Sequence, residues 1–259
     1  MTESTEQQRK HFNSIASVYI ESRQHHNHLL LKDLLWKHFF DDKQHLASEC
    51  RRVLEPMCGL GEGYEILHRY VLAEGFYYHG VDYSENMIAT ARQRHPNLYF
   101  EWGDALAFSR DHADFDLVFL IGGLHHVYSR ARDVVARLSL ALRQGGYFLS
   151  FEPTHNCWLN RQVRRHIYAK NNLFDNETER GFEFKELERI FEEQGYAKVD
   201  EVYAGLLAYI LYYNPDAFPA LNRGSSWAVR FAFALDRIFW RNAVGRKLSF
   251  ATITLWQRQ

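Results

Sequence analysis

Hydrophobic and polar positions follow two alternating periods through the middle of the chain. Runs of consecutive apolar residues, typical of strands buried on both faces, are followed by stretches with apolar positions at helical spacing. The strands predicted in this way cover residues 51–57, 77–83, 98–105, 115–123 and 147–153. The helices predicted between them include residues 62–70, 84–94 and 129–146. This alternation predicts a parallel sheet with right-handed crossovers.

Some of these boundaries carry a specific signal. Ser84 is a candidate N-cap for the helix that follows the second strand. Gly145 and Gly146 are predicted to end the helix over residues 129–146, since glycine commonly follows the last helical residue.

The two ends of the chain extend this pattern. Helices are predicted over residues 5–23, where Tyr19 lies on the apolar face, and over residues 28–40. Towards the other end, a helix over 184–196 is followed by strands over 197–205 and 248–257. The residues between those two strands are too many for a plain loop, so this insert is predicted to carry helices of its own.

No Gly-, Ser- or Pro-rich linker interrupts the chain, so residues 1–259 are predicted to form one domain. Its parts are N-terminal helices (1–48), a ligand-binding core (49–153), two cap inserts (154–183 and 206–247) and the end of the sheet (184–205 and 248–259).

Composition and charge narrow the class of protein. Hydrophobic residues make up 46% and charged residues 24%, and the formal net charge is -1, so no basic excess points to nucleic acid. Cys50, Cys58 and Cys157 have neither metal-binding nor redox spacing, which favours a reducing, cytoplasmic setting. The polar start of the sequence and the absence of an 18-residue apolar run predict neither a signal peptide nor a spanning helix.

The first predicted strand ends in a glycine-rich loop, "VLEPMCGLGEGYEIL". Gly59, Gly61 and Gly63 allow backbone to approach a ligand at the start of the next helix, and Glu55 stands just before them. Asp82 ends the second strand, 21 residues after Gly61, which is the usual offset of an acid that binds the two ribose hydroxyls. Together these features predict a nucleoside site.

The nucleoside need not belong to a dinucleotide. The dinucleotide fingerprint G-x-G-x-x-G needs a third glycine where this chain has Tyr64. Asp104 ends the third strand, where its carboxylate can accept a hydrogen bond from an adenine amino group. The alternative is that Asp104 simply caps a helix.

Five motifs in order resemble the class I S-adenosylmethionine-dependent methyltransferases, most of all their small-molecule members: "VLEPMCGLGEG", "GVDYSENMIATAR", "WGDALAF", "FDLVFLIGGLHHV" and "LRQGGYFLSFEP". The resemblance covers residues 12–153, and the last helix and strands match the family's reversed end. It implies a doubly wound, seven-stranded Rossmann-like sheet with an antiparallel last strand, and S-adenosyl-L-methionine as the cofactor.

The resemblance also implies roles for individual residues. In the family pattern Glu55 orients the loop or the amino group, Asp82 binds the ribose, and Asp104 meets the adenine amino group. The full set of implied cofactor-binding residues is Tyr19, Glu55, Gly59, Gly61, Asp82, Tyr83, Met87, Asp104, Ala105 and Ile121. Met57 departs from the family, which usually has glycine there, and its side chain narrows the approach.

Methyl transfer to a hydroxyl or an amine benefits from a general base. His125 and His126 follow the fourth strand, and Glu152 and His155 lie at the end of the fifth, at the same mouth. We take His126, His125 and Glu152 as catalytic candidates, although a structural role remains open for each of them. Glu152 can equally be bound to backbone, and Tyr19 can equally pack in the core.

The two inserts hold the remaining charged clusters. Arg161, Arg164 and Arg165, with Tyr168, can meet an acidic substrate group or form a solvated face. In the second insert, Arg230, Arg237 and Arg241 fall on one stripe of a predicted helix. We interpret the stripe as a solvated face over a cap or a homodimer contact, and a membrane-surface helix is the alternative.

The sequence therefore predicts transfer of a methyl group to an O, N or C atom of a small, apolar or aromatic metabolite. The aromatic-rich second insert, with Tyr209, Tyr212, Tyr213 and Phe218, motivates that substrate class. A nicotinamide-dependent oxidoreductase and a non-catalytic S-adenosylmethionine-binding module are the alternatives. No metal is predicted, because no His, Asp and Glu cluster has recognisable ligand spacing.

Overall fold

Seven strands form one mixed sheet in the part of the chain that the computed structural model describes, residues 21, 23–72, 75–107, 114–158, 160–162, 180–215, 220 and 222–259. The strands are β1 (Arg52–Pro56), β2 (Tyr77–Asp82), β3 (Tyr99–Trp102), β4 (Phe115–Ile121), β5 (Leu142–Pro153), β6 (Tyr196–Val202) and β7 (Ala251–Arg258). Their order is β3-β2-β1-β4-β5-β7-β6, and β7 runs antiparallel to both of its neighbours. The predicted fold class is confirmed.

Helices cover both faces of this sheet. Those described are α1 (His26–Phe40), α2 (Leu46–Glu49), α3 (Glu62–Tyr70), α4 (Glu85–Arg94), α5 (Ala131–Ala141), α6 (Phe184–Glu192), α7 (Ser226–Arg237) and α8 (Ala243–Leu248). Short 3₁₀ segments over Ala105–Ala107 and Leu124–Arg130 follow β3 and β4. No described helix is long and apolar enough to cross a bilayer.

The apolar residues of β1 pack into two separate cores, because successive side chains of a strand point to opposite faces of the sheet. Val53 packs in the cluster that holds Trp36 of α1 and Val229 of α7, whereas Leu54 packs with Leu138 of α5. Both strand residues are fully buried. This arrangement explains why the central strands read as continuous apolar runs and not as alternating ones.

The predicted end of α5 at Gly145 is wrong. The helix ends at Ala141, and β5 begins at Leu142. Leu142 pairs with Phe115 and Tyr147 pairs with Leu117, so the intervening residues bulge out of the ladder. Within that bulge Gly145 has a φ of 73°, a left-handed conformation that glycine readily adopts. The glycines therefore bend a strand and do not cap the helix.

The insert between β6 and β7 is helical, as predicted. It begins with a π-helical turn over Tyr209–Tyr213 and continues with α7 and α8. The buried carboxylate of Asp236 on α7 accepts hydrogen bonds from the backbone N–H groups of Leu207 (2.9 Å) and Ala208 (2.8 Å), and so fixes the start of the turn.

The predicted arginine stripe is not on one helix. Arg230 and Arg237 belong to α7, which ends at Arg237, and Arg241 follows in a turn. There Arg241 binds Asp200 of β6 through both guanidinium nitrogens, and Asp200 also contacts the buried Lys43 ammonium at 2.7 Å. These cations hold the pKa of Asp200 below its usual range although burial opposes them. The network ties the insert to the sheet edge.

Several predictions fall on residues outside the described ones. They are Tyr19 with the rest of residues 5–20 of the predicted first helix, and the insert residues Arg164, Arg165, Tyr168 and Phe218. Of the first insert's arginines, Arg161 is described, and it contacts the carboxylate of Glu183 at 2.9 Å.

Candidate active site

Three buried carboxylates lie at the carboxyl ends of strands β1, β2 and β5. Glu55, Asp82 and Glu152 are 2%, 7% and 0% exposed. Each accepts hydrogen bonds from backbone N–H groups that follow β1, β2 or β4, so each carboxylate holds one wall of a common mouth at this edge of the sheet. In open α/β sheets this edge is where ligands bind.

Glu55 fixes the start of α3. Its carboxylate accepts from the N–H of Gly63 (2.9 Å), the N–H of Tyr64 (3.3 Å) and the hydroxyl of Tyr78 (2.5 Å). Burial raises the pKa of Glu55 to about 8 although all three hydrogen bonds favour the ionised form. Of the two roles that the resemblance left open for Glu55, this geometry supplies the one of orienting the loop.

The three glycines of this loop are needed for different reasons. A Cβ at Gly63 would lie 2.6 Å from the Glu55 carboxylate, and one at Gly61 would lie 2.9 Å from the ring of Phe100. Only Gly59, with a φ of 51°, would point a Cβ into open space. The sequence suggested that all three are bare for a ligand, but protein atoms account for two of them. Gly59 is the glycine that leaves room for a ligand.

Asp82 joins the loops after β1 and β2. One carboxylate oxygen accepts from the N–H of Gly59 (2.9 Å) and the other from the N–H of Ser84 (2.8 Å). Burial raises its pKa, while these two hydrogen bonds and the nearby His126 oppose the rise. Each carboxylate oxygen has two lone pairs, so both can accept a further hydrogen bond from a ligand.

The predicted adenine-side residues surround the start of α4 and the end of β3. The Ser84 hydroxyl accepts from the N–H of Met87, which confirms Ser84 as the N-cap. Met87 is buried, and the Tyr83 carbonyl accepts from the indole N–H of Trp102 at 2.9 Å. Tyr83 directly follows Asp82, and Met87 lies in the first turn of α4.

Asp104 has the capping contact that the sequence offered as an alternative. Its carboxylate accepts from the N–H of Leu106 at 2.9 Å, at the start of the 3₁₀ segment that contains the buried Ala105. One oxygen is engaged in this way. The contact leaves the predicted meeting with an adenine amino group untested.

Glu152 holds the loop after β4. One of its oxygens accepts from the N–H of Gly123 (3.0 Å) and of Leu124 (2.9 Å). The other accepts from the N–H of His125 (3.3 Å) and lies 3.1 Å from its ring Nδ1. Burial raises the pKa of Glu152 to about 7 against these bonds and the nearby His126. These contacts favour the backbone-bound role for Glu152.

The two adjacent histidines stand next to each other over this loop. The ring centroids of His125 and His126 are 3.9 Å apart, and both side chains are partly exposed. His125 contacts Glu152, whereas His126 lowers the pKa of both Asp82 and Glu152 against the effect of burial. Of the two histidines, His126 is therefore the one that senses the carboxylates at the ends of both β2 and β5.

The side chain of Met57 fits at the mouth because Gly123, on the loop after β4, has no side chain. Met57 adopts a φ of 55°, which is uncommon for a residue with a side chain. A Cβ added to Gly123 would lie only 2.6 Å from the Met57 sulfur. The sequence singled out Met57 as a departure from the family, and the structure shows that the opposite loop makes room for it. Ile121 ends β4 next to this loop and is partly buried.

Residues that the sequence did not single out link α1 to the insert. The Tyr213 carbonyl accepts from Arg23 (2.7 Å) and from the His28 Nδ1–H (2.8 Å), and Lys32 contacts Glu62 at 3.0 Å beside the glycine loop. Burial lowers the pKa of His28 to about 3, so its ring is neutral. Polar residues on a helix carry no signal of such tertiary pairing, and their spacing alone does not reveal it.

Aromatic rings from the insert pack against the carboxyl end of β5. Tyr209 and Tyr213 stack with centroids 4.8 Å apart, and both pack edge-on against Phe151 at the end of β5, at 6.2 and 5.3 Å. His155, two residues beyond Pro153, is buried, and its backbone N–H binds the Phe182 carbonyl. Among the described residues, no three His, Cys, Asp or Glu side chains gather as a metal site would require.

Comparisons with known proteins find similarity to methyltransferases. Residues 53–146 match the family described as a methyltransferase domain. A Mycolicibacterium smegmatis protein named "probable S-adenosylmethionine-dependent methyltransferase" is 29% identical over 174 residues, 62% of this chain and 64% of that protein. The phthiotriol/phenolphthiotriol dimycocerosates methyltransferase of Mycobacterium tuberculosis is 35% identical over 100 residues, 38% of this chain and 36% of that protein. Both alignments span less than two thirds of the relatives' own length.

A solved structure extends the likeness over nearly the whole chain. Magnesium protoporphyrin IX methyltransferase from Synechocystis, with bound SAH, superposes with a TM-score of 0.58 at 13% identity. The superposition covers 97% of this chain and 98% of that one. At this identity the likeness is one of fold.

Proposed function

We propose that the chain is a class I S-adenosylmethionine-dependent methyltransferase, as its sequence predicted, and that it transfers a methyl group to a small, apolar or aromatic metabolite. The observation that carries this proposal is the open space in front of Gly59, beside the buried carboxylate of Asp82. A nucleoside with a positively charged substituent fits a mouth whose walls are held by three carboxylates.

The residues at this mouth suit S-adenosylmethionine. Asp82 would hold the ribose hydroxyls through its remaining lone pairs, and Gly59 would leave room beside them. Tyr83 and Met87 would flank the adenine, with Asp104 and Ala105 at its polar edge. When bound, the cofactor supplies a methyl group already activated on a sulfonium. The protein's own residues would bind the cofactor and the acceptor, orient them for transfer and exclude water from the site.

Among the chain's own residues, His126 is the one we assign to accept a proton from the acceptor. It is partly exposed at the mouth, and the neighbouring carboxylates of Asp82 and Glu152 would stabilise its protonated ring. Glu152 acts as a positioning residue, because its four contacts set the path of the loop that carries both histidines. His125 is then a link between Glu152 and His126.

The acceptor pocket that we propose is aromatic. Phe151, Tyr209 and Tyr213 form a cluster at the end of β5, on the side of the mouth away from the adenine residues. Such rings favour an apolar or aromatic acceptor. The relative from Mycobacterium tuberculosis is named for phthiotriol and phenolphthiotriol dimycocerosates, and we take that name only as support for an apolar acceptor here.

Calorimetric titration tests the cofactor. S-Adenosylmethionine and S-adenosylhomocysteine should bind, and NAD should give no comparable heat. Asp82→Asn removes the charge and turns an amide NH₂ towards the N–H of Gly59 or Ser84, so it should weaken both ligands roughly tenfold or more. Binding of NAD alone would overturn the proposal in favour of an oxidoreductase.

Turnover tests the reaction and the predicted independence from metals. Small molecules that copurify with the protein, identified by native mass spectrometry, supply candidate acceptors. A product that is heavier by one methyl group supports the proposal. Full activity in EDTA is expected, and loss of activity that magnesium restores would contradict it. Cofactor binding without methylation of any copurified acceptor would instead favour a non-catalytic binding module.

A further inference from the structure

Helix α7 exposes a stripe of large apolar side chains on its outer face. Its inner positions, Val229, Ala232, Phe233 and Asp236, are buried. Its outer stripe is also apolar: Trp227 is 70% exposed, Phe231 is 51% exposed and Ile238, at the end of the helix, is 64% exposed. The rings of Trp227 and Phe231 stack on each other at 5.3 Å, outside the core. Solvated helices normally present polar residues there.

The exposed apolar surface continues onto α8. Phe239 is partly exposed, and the close approach of Gly245 to its carbonyl places α8 directly beside it. Val244 and Leu248, one helical turn apart on α8, are 49% and 43% exposed. The Leu248 carbonyl accepts from Asn160 at 2.9 Å, which brings the neighbouring, 70% exposed Trp158 to the same region. We call Trp227, Phe231, Leu235, Ile238, Phe239, Val244 and Leu248 the outer apolar surface.

Basic residues border this surface, and no exposed acid of the same segment does. From Asn222 to the end, the sequence has seven Lys and Arg residues and one acid, Asp236, which is buried and bound to backbone. Arg230 and Arg237 lie on one flank of the α7 stripe, and Lys247 lies on α8. Within the described residues these three cations form no ion pair.

We propose that the outer apolar surface docks on an anionic membrane surface. Aromatic and aliphatic side chains would enter the boundary between headgroups and acyl chains, while Arg230, Arg237 and Lys247 meet anionic headgroups. A symmetric contact with a second copy is the less favourable occupant, because it would bring the same cations together with no exposed acid of this segment to neutralise them. The aromatic-rich insert thus serves as a peripheral membrane anchor.

Vesicle cosedimentation of the full chain tests this proposal without any turnover. The protein should bind phosphatidylcholine vesicles that contain phosphatidylglycerol, and bind pure phosphatidylcholine vesicles much more weakly. Trp227→Ser with Phe231→Ser should lower the partition coefficient roughly tenfold or more. Arg230→Gln with Arg237→Gln should lower it on the anionic vesicles only, by roughly fivefold per charge.

Matched controls separate the surface from general stickiness. Tyr99 on β3 and Val199 on β6 are 52% and 49% exposed and lie outside the outer apolar surface. Tyr99→Ser with Val199→Ser should therefore leave vesicle binding unchanged. All variants should keep wild-type S-adenosylhomocysteine affinity, which shows that they are folded and separates this test from that of the proposed function. Failure of the wild type to bind anionic vesicles would overturn the proposal. So would a Trp227→Ser, Phe231→Ser protein that changes only from dimer to monomer in ultracentrifugation.

Discussion

Gly59 and Gly63 offer a contrast at the scale of single residues, since a methyl group would meet open space at one and a carboxylate at the other. Gly63→Ala should destabilise the fold by about 1–3 kcal/mol, because the hydrogen-bonded Glu55 carboxylate must move. Gly59→Ala should cost only about 1 kcal/mol of left-handed strain but should weaken cofactor binding roughly tenfold or more. Urea unfolding and calorimetry measure the two effects.

Gly195→Ala is the matched control for Gly59→Ala. Gly195 also has a positive φ, 79°, and nothing within reach of an added Cβ, but it follows α6 away from the mouth. It should show the same strain with unchanged cofactor affinity. Equal cofactor affinity in Gly59→Ala and the wild type would mean that the ligand does not pass beside Gly59.

Met57 and Gly123 should be energetically coupled. In the wild type, Gly123→Ala places a Cβ 2.6 Å from the Met57 sulfur, which should cost about 1–3 kcal/mol as overpacking. In a Met57→Gly background that clash is gone, and only the contact with Leu120 at 3.1 Å remains. A double-mutant cycle by urea unfolding should therefore give an interaction free energy of about 1 kcal/mol or more. Additive effects would show that the two loops do not share this space.

The sequence predicted individual residues where a chemical type met a position in the pattern. Asp82 and Glu55 are acids at strand ends, and Ser84 is an N-cap, so local rules located them. Gly123 was not singled out as the partner of Met57, because that requires the distance between two loops. The role of Glu152 was left open for the same reason, as its backbone partners lie 27–29 residues away.

At the scale of elements, the Asp236 carboxylate is the joint between α7 and the start of the insert. Asp236→Asn places an amide NH₂ against one of two backbone N–H groups and leaves it unsatisfied, which should cost about 1–3 kcal/mol. The Leu207 and Ala208 amides should exchange faster with solvent. Asp133→Asn, a surface acid paired with Arg130, is the control and should change stability little.

The π-helical turn is expected to control the acceptor through its rings. Tyr209→Ala with Tyr213→Ala removes the stack against Phe151 and should raise the acceptor KM or lower kcat. Cofactor affinity should stay nearly unchanged, because neither ring belongs to the predicted adenine or ribose contacts. Wild-type kinetics in a folded double variant would rule out this lid role.

Strands and helices with a regular period were predictable, and irregular joints were not. The core strands and α1 follow from their apolar patterns, which report burial directly. The end of α5 was misplaced because helical periodicity continues past Ala141 in the sequence, while Leu142 is drawn into the sheet beside Phe115. The outward apolar stripe of α7 was also not foreseen, since periodicity does not say which side of a helix faces the core.

At the scale of the whole molecule, buried acids set the pH dependence of stability. Burial raises the pKa of Glu55 to about 8, and of Glu152 and Asp236 to about 7. Above pH 4.5 the folded chain therefore retains protons that the unfolded chain has lost, so these groups make stability fall as pH rises. His28, with its pKa lowered to about 3, acts oppositely, but only below its unfolded value of 6.5.

Between pH 6.5 and 8 the falling contributions of the buried acids should dominate. The free energy of unfolding of the ligand-free protein, measured by urea titration, should decrease across this window by about 1 kcal/mol or more. Asp236→Asn should make the decrease shallower. A stability that is flat or rises from pH 6.5 to 8 would show that the carboxylates are already fully ionised in the fold.

The same protons give the two forms of the cofactor different pH dependences. S-Adenosylmethionine carries a sulfonium cation, and S-adenosylhomocysteine has a neutral thioether in its place. A cation beside Glu55, Asp82 and Glu152 favours their ionised forms, so its binding should release protons and strengthen as pH rises from 6 to 8. The ratio of the two affinities should then shift towards S-adenosylmethionine roughly three- to tenfold. Titration in buffers of different ionisation enthalpy counts the released protons, and Asp236→Asn should leave the ratio unaffected because Asp236 lies in the insert. An affinity ratio that is constant over this range would mean that these carboxylates lie too far from the sulfonium to sense its charge.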